Sequence, residues 1–168
     1  PDPACLTDAL TDLAARLPAG AIVWRFDPIL HTPDLFDRFD RIHALLRSAL
    51  GPLAEATISF PDTYRKVVRR LARDGRHLPC PAPSEQRRIT SALQARSGLT
   101  LHACCEPHLT NLPGVVAARC VDGARFDPIY GTRLGKLKKD RGQRADCGCS
   151  QSTDIGSYAQ MCGHNCRY

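Results

Sequence analysis

Four thiols crowd the end of the chain: Cys147, Cys149, Cys162 and Cys166 fall within twenty residues of otherwise small and polar composition. A segment with so little apolar surface cannot offset the entropy of ordering its own backbone, so a covalent or metallic tie is expected to order it. Cys147 and Cys149 form a Cys-x-Cys pair, which in extended backbone puts both sulfurs on one face. Cys162 and Cys166 are four apart, the spacing for one face of a helical turn or for a loop wrapped around a cluster. Nine cysteines, an odd number with no secretory context, favour metal or iron–sulfur ligation over disulfides and over packed, unpaired thiols.

The pattern Cys-Gly-Cys-x-x-Ser-x-Asp-Ile-Gly-x-Tyr-x-x-x-Cys-x-x-x-Cys-x-Tyr over residues 147–168 resembles the C-terminal signature of a bacterial domain-of-unknown-function family, numbered eighteen forty-eight. Further matching stretches are Val23–Leu30, Ile58–Phe60, Cys104 with Glu106, Cys120–Asp122 and Leu137–Arg144, so the resemblance covers nearly the whole chain. The tail is in turn similar to the Cys-x-x-x-Cys-x-x-Cys motif of radical S-adenosylmethionine enzymes. Cys162, Cys166 and Tyr168 take its first, second and penultimate places, and the third cysteine would be residue 169. With Pro1-Asp2-Pro3 in place of an initiator Met, the chain is expected to be an internal fragment, the second half of a barrel-like α/β domain.

A length of 168 residues with 43% hydrophobic content provides for one core. No apolar run approaches the ~20 residues of a membrane span, and nothing reads as a signal peptide, so a cytoplasmic, reducing compartment is expected. Leu6, Leu10, Leu13 and Leu17 recur at helical spacing over residues 5–17, ended by Pro18 and Gly20. Ala21–Trp24 is a short run of the kind buried on both faces of a parallel sheet. A second helix opens with Thr32 as cap and Pro33 in its first turn, burying Leu35, Phe39, Ile42, Leu46 and Leu50. Ala56–Phe60 reads as a strand, and Tyr64, Val67, Val68 and Leu71 mark a helix after Asp62. Ser84 begins another helix that runs to Gly98, and Leu99–Cys104 is a third strand. Phe126–Tyr130 makes one short helical turn ended by Gly131.

That order predicts an α/β fold: a partial parallel sheet of a barrel-like domain, similar to TIM and radical S-adenosylmethionine barrels, over residues 1–130. An irregular basic segment and Cys-rich tail follow over 131–168. In such architectures ligands bind beyond the carboxyl ends of the strands. This selects Arg25 and Asp27 after the first strand, Ser59 and Asp62 at the second, and Cys104, Cys105 and Glu106 at the third. Arg25 could clamp a carboxylate or phosphate. Asp27 or Glu106 could hold a ribose, an ammonium or a transferable proton. The bland alternative is an ion pair of Arg25 with Asp27 or Glu106 and a helix cap at Asp62. Ser59, together with Asp154 and Tyr158 of the tail pattern, completes the candidate cofactor contacts.

The basic run Arg133, Lys136, Lys138, Lys139, Arg141 and Arg144 reads first as a solvated surface and second as a phosphate contact. Arg65, Lys66, Arg69 and Arg70 form a second basic cluster, read as surface. Arg25-Phe-Asp-Pro-Ile29 recurs as Arg125-Phe-Asp-Pro-Ile129, but no flanking similarity extends the match, and it reads as coincidence.

Two functions from different classes follow. The radical-enzyme resemblance implies a [4Fe–4S] cluster and S-adenosylmethionine, an electron donor such as flavodoxin or ferredoxin, and a small-molecule or nucleotide-like substrate. The alternative is a non-catalytic module in which zinc or a cluster staples the tail, with a phosphate-containing ligand as its partner. Nucleic acid comes third, and no membrane partner is expected. Thiol counting adds a second site, made of Cys104, Cys120, Cys147 and Cys149, for zinc or an auxiliary iron–sulfur cluster. Cys105 is expected on the opposite strand face as a small apolar side chain, with Cys5 and Cys80 unpartnered and His164 left out as a loop residue.

Overall fold

Apolar runs alternating with helical stretches fold in the expected order, with one strand more than periodicity foresees. The computed structural model describes residues 3–62, 64–73, 75, 80–135, 137–153 and 155–156. Its elements are α1 (Pro3–Arg16), β1 (Arg25–Phe26), α2 (Leu35–Leu50), β2 (Glu55–Ile58), α3 (Arg65–Arg73), α4 (Pro83–Ser97), β3 (Thr100–Ala103), β4 (Val115–Ala117) and α5 (Gly123–Tyr130). β4 escapes a pattern search because it is three residues long and follows a 3-10 turn at Pro107–Leu109 in place of a helix. β1 is shorter than predicted, although the Thr57 N–H still donates to the Trp24 carbonyl at 2.8 Å.

The start of α2 differs from the expectation. Helix begins at Leu35, and residues 32–34 form a turn in which the Leu35 N–H donates to the Thr32 carbonyl at 3.1 Å. The Thr32 hydroxyl donates to Asp34 Oδ1 at 2.7 Å, so it does not cap the helix. α4 starts with Pro83 in its first turn and ends at Gly98, whose left-handed φ of 68° suits glycine. α3 buries Leu71 but leaves Tyr64 and Val68 exposed, and Arg65, Arg69 and Arg70 are on the surface as expected.

All four strands are parallel and lie in the order β1-β2-β3-β4. A sequential order without reversal is that of a barrel segment, whereas a doubly wound sheet reverses at a switch point. The core lies on one face. Phe26, Ile58, Leu101 and Ala103 pack there against Leu35, Phe39 and Leu46 of α2 and Ile89 and Leu93 of α4. Phe39 is fully buried, with its ring 5.0 Å from Trp24 and 5.1 Å from Phe26. Strand alternation sends Arg25, Thr57, His102 and Val116, which share one register row, to the other face. α5 lies over that face, where Arg125 pairs with Glu55 and donates to the Gly20 carbonyl at 3.1 Å. Among the described residues no helix is long and apolar enough to cross a membrane.

Because Phe39 is fully buried and packs its ring on Trp24 and Phe26, Phe39→Ala should lower unfolding free energy by about 3–5 kcal/mol in urea titration. A loss below about 1 kcal/mol would place α2 off the sheet.

Candidate functional site

β3 and β4 pair with Ala103 opposite Ala117, so the chain segments leaving their carboxyl ends are neighbours. The Cys104 N–H donates to the Ile58 carbonyl at 2.8 Å and the Ala118 N–H to the Ala103 carbonyl at 2.9 Å, fixing both exits. Cys104 Sγ and Cys120 Sγ stand 3.1 Å apart there. The backbone N–H groups of Cys120 and Val121 both donate to Cys149 Sγ, at 3.2 and 3.4 Å.

Cys149 arrives on a hairpin built from the basic segment. The Asp140 N–H donates to the Cys149 carbonyl at 2.9 Å, and the Gln151 N–H to the Lys138 carbonyl at 2.8 Å. The hairpin docks through the Ser150 N–H on the Val121 carbonyl at 2.8 Å and the Gly123 N–H on Ser150 Oγ at 3.1 Å. Cys147 and Cys149 are buried by this docking. Gly123 is required at the joint, since a Cβ there would overlap Leu137 and come within 3.0 Å of Ser150 Oγ.

Cys105 corrects the alternation argument. Its φ of 56° takes the chain out of the strand into a turn, so it is half-buried at the rim and does not pack on the opposite face.

Arg25 reaches Asp27 with two bonds, Nε to Oδ1 at 3.3 Å and Nη2 to Oδ2 at 2.6 Å, and Cys120 lies near enough to act on its charge. Burial opposes its charge, but Asp27 and Cys120 hold the guanidinium above its ordinary range. Cys104 and Cys120 share a proton. The hydrogen bond to Cys120, then burial, keeps it on Cys104, whose thiol is pushed well up. The bond from Cys104, opposed by burial and aided by Arg25, brings Cys120 down to about 5. Burial pushes the Cys147 thiol up to about 11.

Glu106 is tied elsewhere than Arg25. Its Oε1 accepts the Phe60 N–H at 3.1 Å, and Oε2 lies 3.8 Å from His108 Nδ1. Burial raises its carboxyl, partly offset by the Phe60 N–H. Ser59 lies at the same rim, its carbonyl accepting the Ile29 N–H at 2.7 Å. Asp62 pairs with Arg144 of the hairpin, and α3 starts only at Arg65. Asp154, Tyr158, Cys162 and Cys166 lie outside the described residues. Among the described residues no three His, Cys, Asp or Glu side chains are grouped so that they could hold a metal ion.

A cavity of about 540 Å³ opens on the sheet face opposite the core, with Arg25, Thr57, His102, Arg119, Cys120 and Tyr130 in its wall. Inside the strands, His102 Nε2 lies 2.7 Å from Glu55 Oε2, and Glu55 also binds Arg125. Sequence reasoning misses His102, Glu55 and Arg125, because only the strand register and the docking of α5 bring them together. Arg25 and Arg125, the heads of the two Arg-Phe-Asp-Pro-Ile copies, both reach this cavity. One copy leaves a strand and the other forms a helix, so they are not a structural repeat.

The family described as Domain of unknown function (DUF1848) matches residues 1–168. The chain belongs to that family. No curated protein and no solved structure matches it. In this member of the family Cys104, Cys120 and Cys149 neighbour one another at the carboxyl rim.

Two outcomes follow from the rim geometry. Gly123→Ala should undock the hairpin and raise the alkylation rate of buried Cys149 at least several-fold, while an unchanged rate would show that Leu137 and Ser150 yield without cost. The second concerns charge. Because Cys120 is depressed below its ordinary 9.0, its anion stabilises the fold fully above pH 9.0, and that contribution fades as pH falls through about 5. In metal-free protein the pH profile of Cys120 alkylation should therefore have its midpoint near 5, and Arg25→Met should move it upward. A midpoint near 9 in the parent protein would remove the Arg25–Cys120 interaction.

Proposed function

We propose that this chain is the cluster-bearing part of a radical S-adenosylmethionine-type enzyme. One observation carries the reading: the 138–151 hairpin is bolted to the carboxyl rim of a parallel sheet, so the Cys-rich tail sets out from beside Arg25, Asp27 and the cavity. In parallel α/β folds that rim is where ligands bind. Cys162 and Cys166, with a cysteine at position 169, would hold a [4Fe–4S] cluster. When bound, such a cluster supplies the electron for reductive cleavage of S-adenosylmethionine. Flavodoxin or ferredoxin is the class of donor that would deliver it.

The chain's own residues take the binding roles. Asp27 and Arg25 are a matched ion pair able to exchange partners with an ammonium and a carboxylate on one small molecule. Ser59, Asp154 and Tyr158 are the remaining cofactor contacts. Glu106, with its carboxyl raised by burial, is the residue suited to hold a proton at the rim. The cavity, within the usual range for small-ligand sites, would take a small-molecule or nucleotide-like substrate. Nucleic acid is less well supported: within the basic segment, Arg144 is engaged by Asp62, and Lys139 donates to the Arg144 and Ala145 carbonyls of its own hairpin.

A second reading is a non-catalytic staple, with zinc or an auxiliary cluster on Cys104, Cys120, Cys147 and Cys149. The hydrogen bonds that bring Cys149 to Cys120 favour it. It requires the sulfurs to regroup, because no three of them stand as a metal site among the described residues.

Anaerobically purified full-length protein should be brown, contain iron and sulfide, and release 5′-deoxyadenosine from S-adenosylmethionine under a strong reductant. Cys162→Ala and Cys166→Ala should each lose the iron with the fold intact by circular dichroism. Iron content unchanged in both variants would remove the radical-enzyme reading, and colourless protein with stoichiometric zinc would favour the staple.

A further inference from the structure

We infer that Cys104 and Cys120 are a reversible dithiol–disulfide pair, and that this is their role in place of metal ligation. The inference does not depend on the cluster reading, which uses Cys162 and Cys166, and it competes directly with the zinc staple.

Geometry separates the pair from the other rim thiols. Two sulfurs on one tetrahedral metal at ~2.3 Å bonds stand about 3.8 Å apart. Cys104 Sγ and Cys120 Sγ approach to 3.1 Å, closer than shared ligation asks. Neither Cys147 nor Cys149 joins them in a group able to hold a metal. Cys149 is held otherwise: it is buried, and its sulfur accepts two backbone N–H bonds, from Cys120 and Val121. Cys120 by contrast is exposed and lines the cavity, and Cys104 beside it is half-buried. A small oxidant therefore meets Cys120 first.

The backbone is set for closure. Ala103 and Ala117 are register partners on adjacent parallel strands, and the Cys104 and Ala118 N–H groups pin the chain just beyond them. A disulfide bond is ~2.05 Å long, so the sulfurs need travel only about 1 Å, within the reach of side-chain rotation.

The step is a thiol–disulfide exchange with a small disulfide such as glutathione disulfide. The Cys120 sulfur attacks as the thiolate, the oxidant's S–S bond breaks, and the first glutathione leaves as a thiolate that takes its proton from solvent. The Cys104 sulfur then attacks Cys120 in the mixed disulfide, and the second glutathione thiol leaves with the proton of Cys104. The protein pair loses two electrons and one glutathione disulfide gains them. Closure converts the Cys120 sulfur, which shares the cavity wall with Arg25, from a thiol that can carry charge to a neutral disulfide sulfur.

The test uses metal-free full-length protein, incubated with glutathione disulfide, alkylated, digested and mapped by mass spectrometry. The expected first cross-link joins the Cys104 and Cys120 peptides, with loss of two free thiols and full reversal by dithiothreitol. Cys149→Ser should keep that cross-link, whereas Cys104→Ser should stop at a glutathione adduct on Cys120. A first cross-link from Cys120 to Cys149 or Cys147, or no cross-link while Cys104 and Cys120 both alkylate, overturns the inference. So does stoichiometric zinc in the parent protein that is lost in both Cys104→Ser and Cys120→Ser, a result that would establish the staple instead. Iron content in Cys162→Ala is read separately, so the cluster reading and the dithiol pair can fail independently.

Discussion

The hydrogen bond from the Ser150 N–H to the Val121 carbonyl, at 2.8 Å, is the joint on which the rim depends. It connects the Cys-rich end of the chain to the segment that follows β4, across 29 residues of sequence. With the Gly123–Ser150 bond beside it, this joint buries Cys147 and Cys149 and presents Cys149 to two backbone donors, next to the Cys120 that lines the cavity. Little apolar surface contributes here. Backbone pairing holds the hairpin, and at Gly123 a Cβ would press on the Leu137 side chain and the Ser150 hydroxyl.

Charge at the rim is organised by Arg25. A strand-end arginine with one carboxylate partner would be an ordinary ion pair, and at a partly exposed position such pairs contribute little to stability. What distinguishes this one is that the guanidinium and the Cys120 thiolate favour each other's charged forms, so Cys120, lowered first by the bond from Cys104, is lowered further. The sulfur chemistry and the ligand-facing charge of the cavity are therefore coupled through a single residue.

The two faces of the sheet divide the labour. One is filled by apolar side chains of α2 and α4, with half-buried His43 of α2 stacked on Trp24. The other carries Arg25, Thr57 and His102 in one register row, with Glu55 paired to Arg125 of the overlying α5. Strand alternation makes this possible, since a residue's parity alone decides which environment it meets. A polar face of this kind is unstable against bare apolar packing but well suited to a ligand that brings its own hydrogen-bonding groups.

The sequence by itself determined the α/β class, the parallel arrangement, three of the four strands and the helices between them, because apolar periodicity and helix punctuation at Pro18, Gly98 and Gly131 are local signals. It also determined which residues stand at strand ends, so Arg25, Asp27, Ser59, Cys104 and Glu106 could be placed at the rim in advance. Tertiary structure alone decided what each of them touches. That Glu106 binds Phe60 and that Asp62 meets Arg144 depend on contacts 46 and 82 residues apart in sequence, and the turn of Cys105 out of its strand with φ 56° is a backbone departure that side-chain alternation does not announce. β4 was illegible because three residues cannot display a period, and His102, Glu55 and Arg125 because no spacing in the chain encodes a strand register. The approach of Cys104 to Cys120 has the same origin: it follows from which strands are neighbours, a property of the sheet and not of any segment within it.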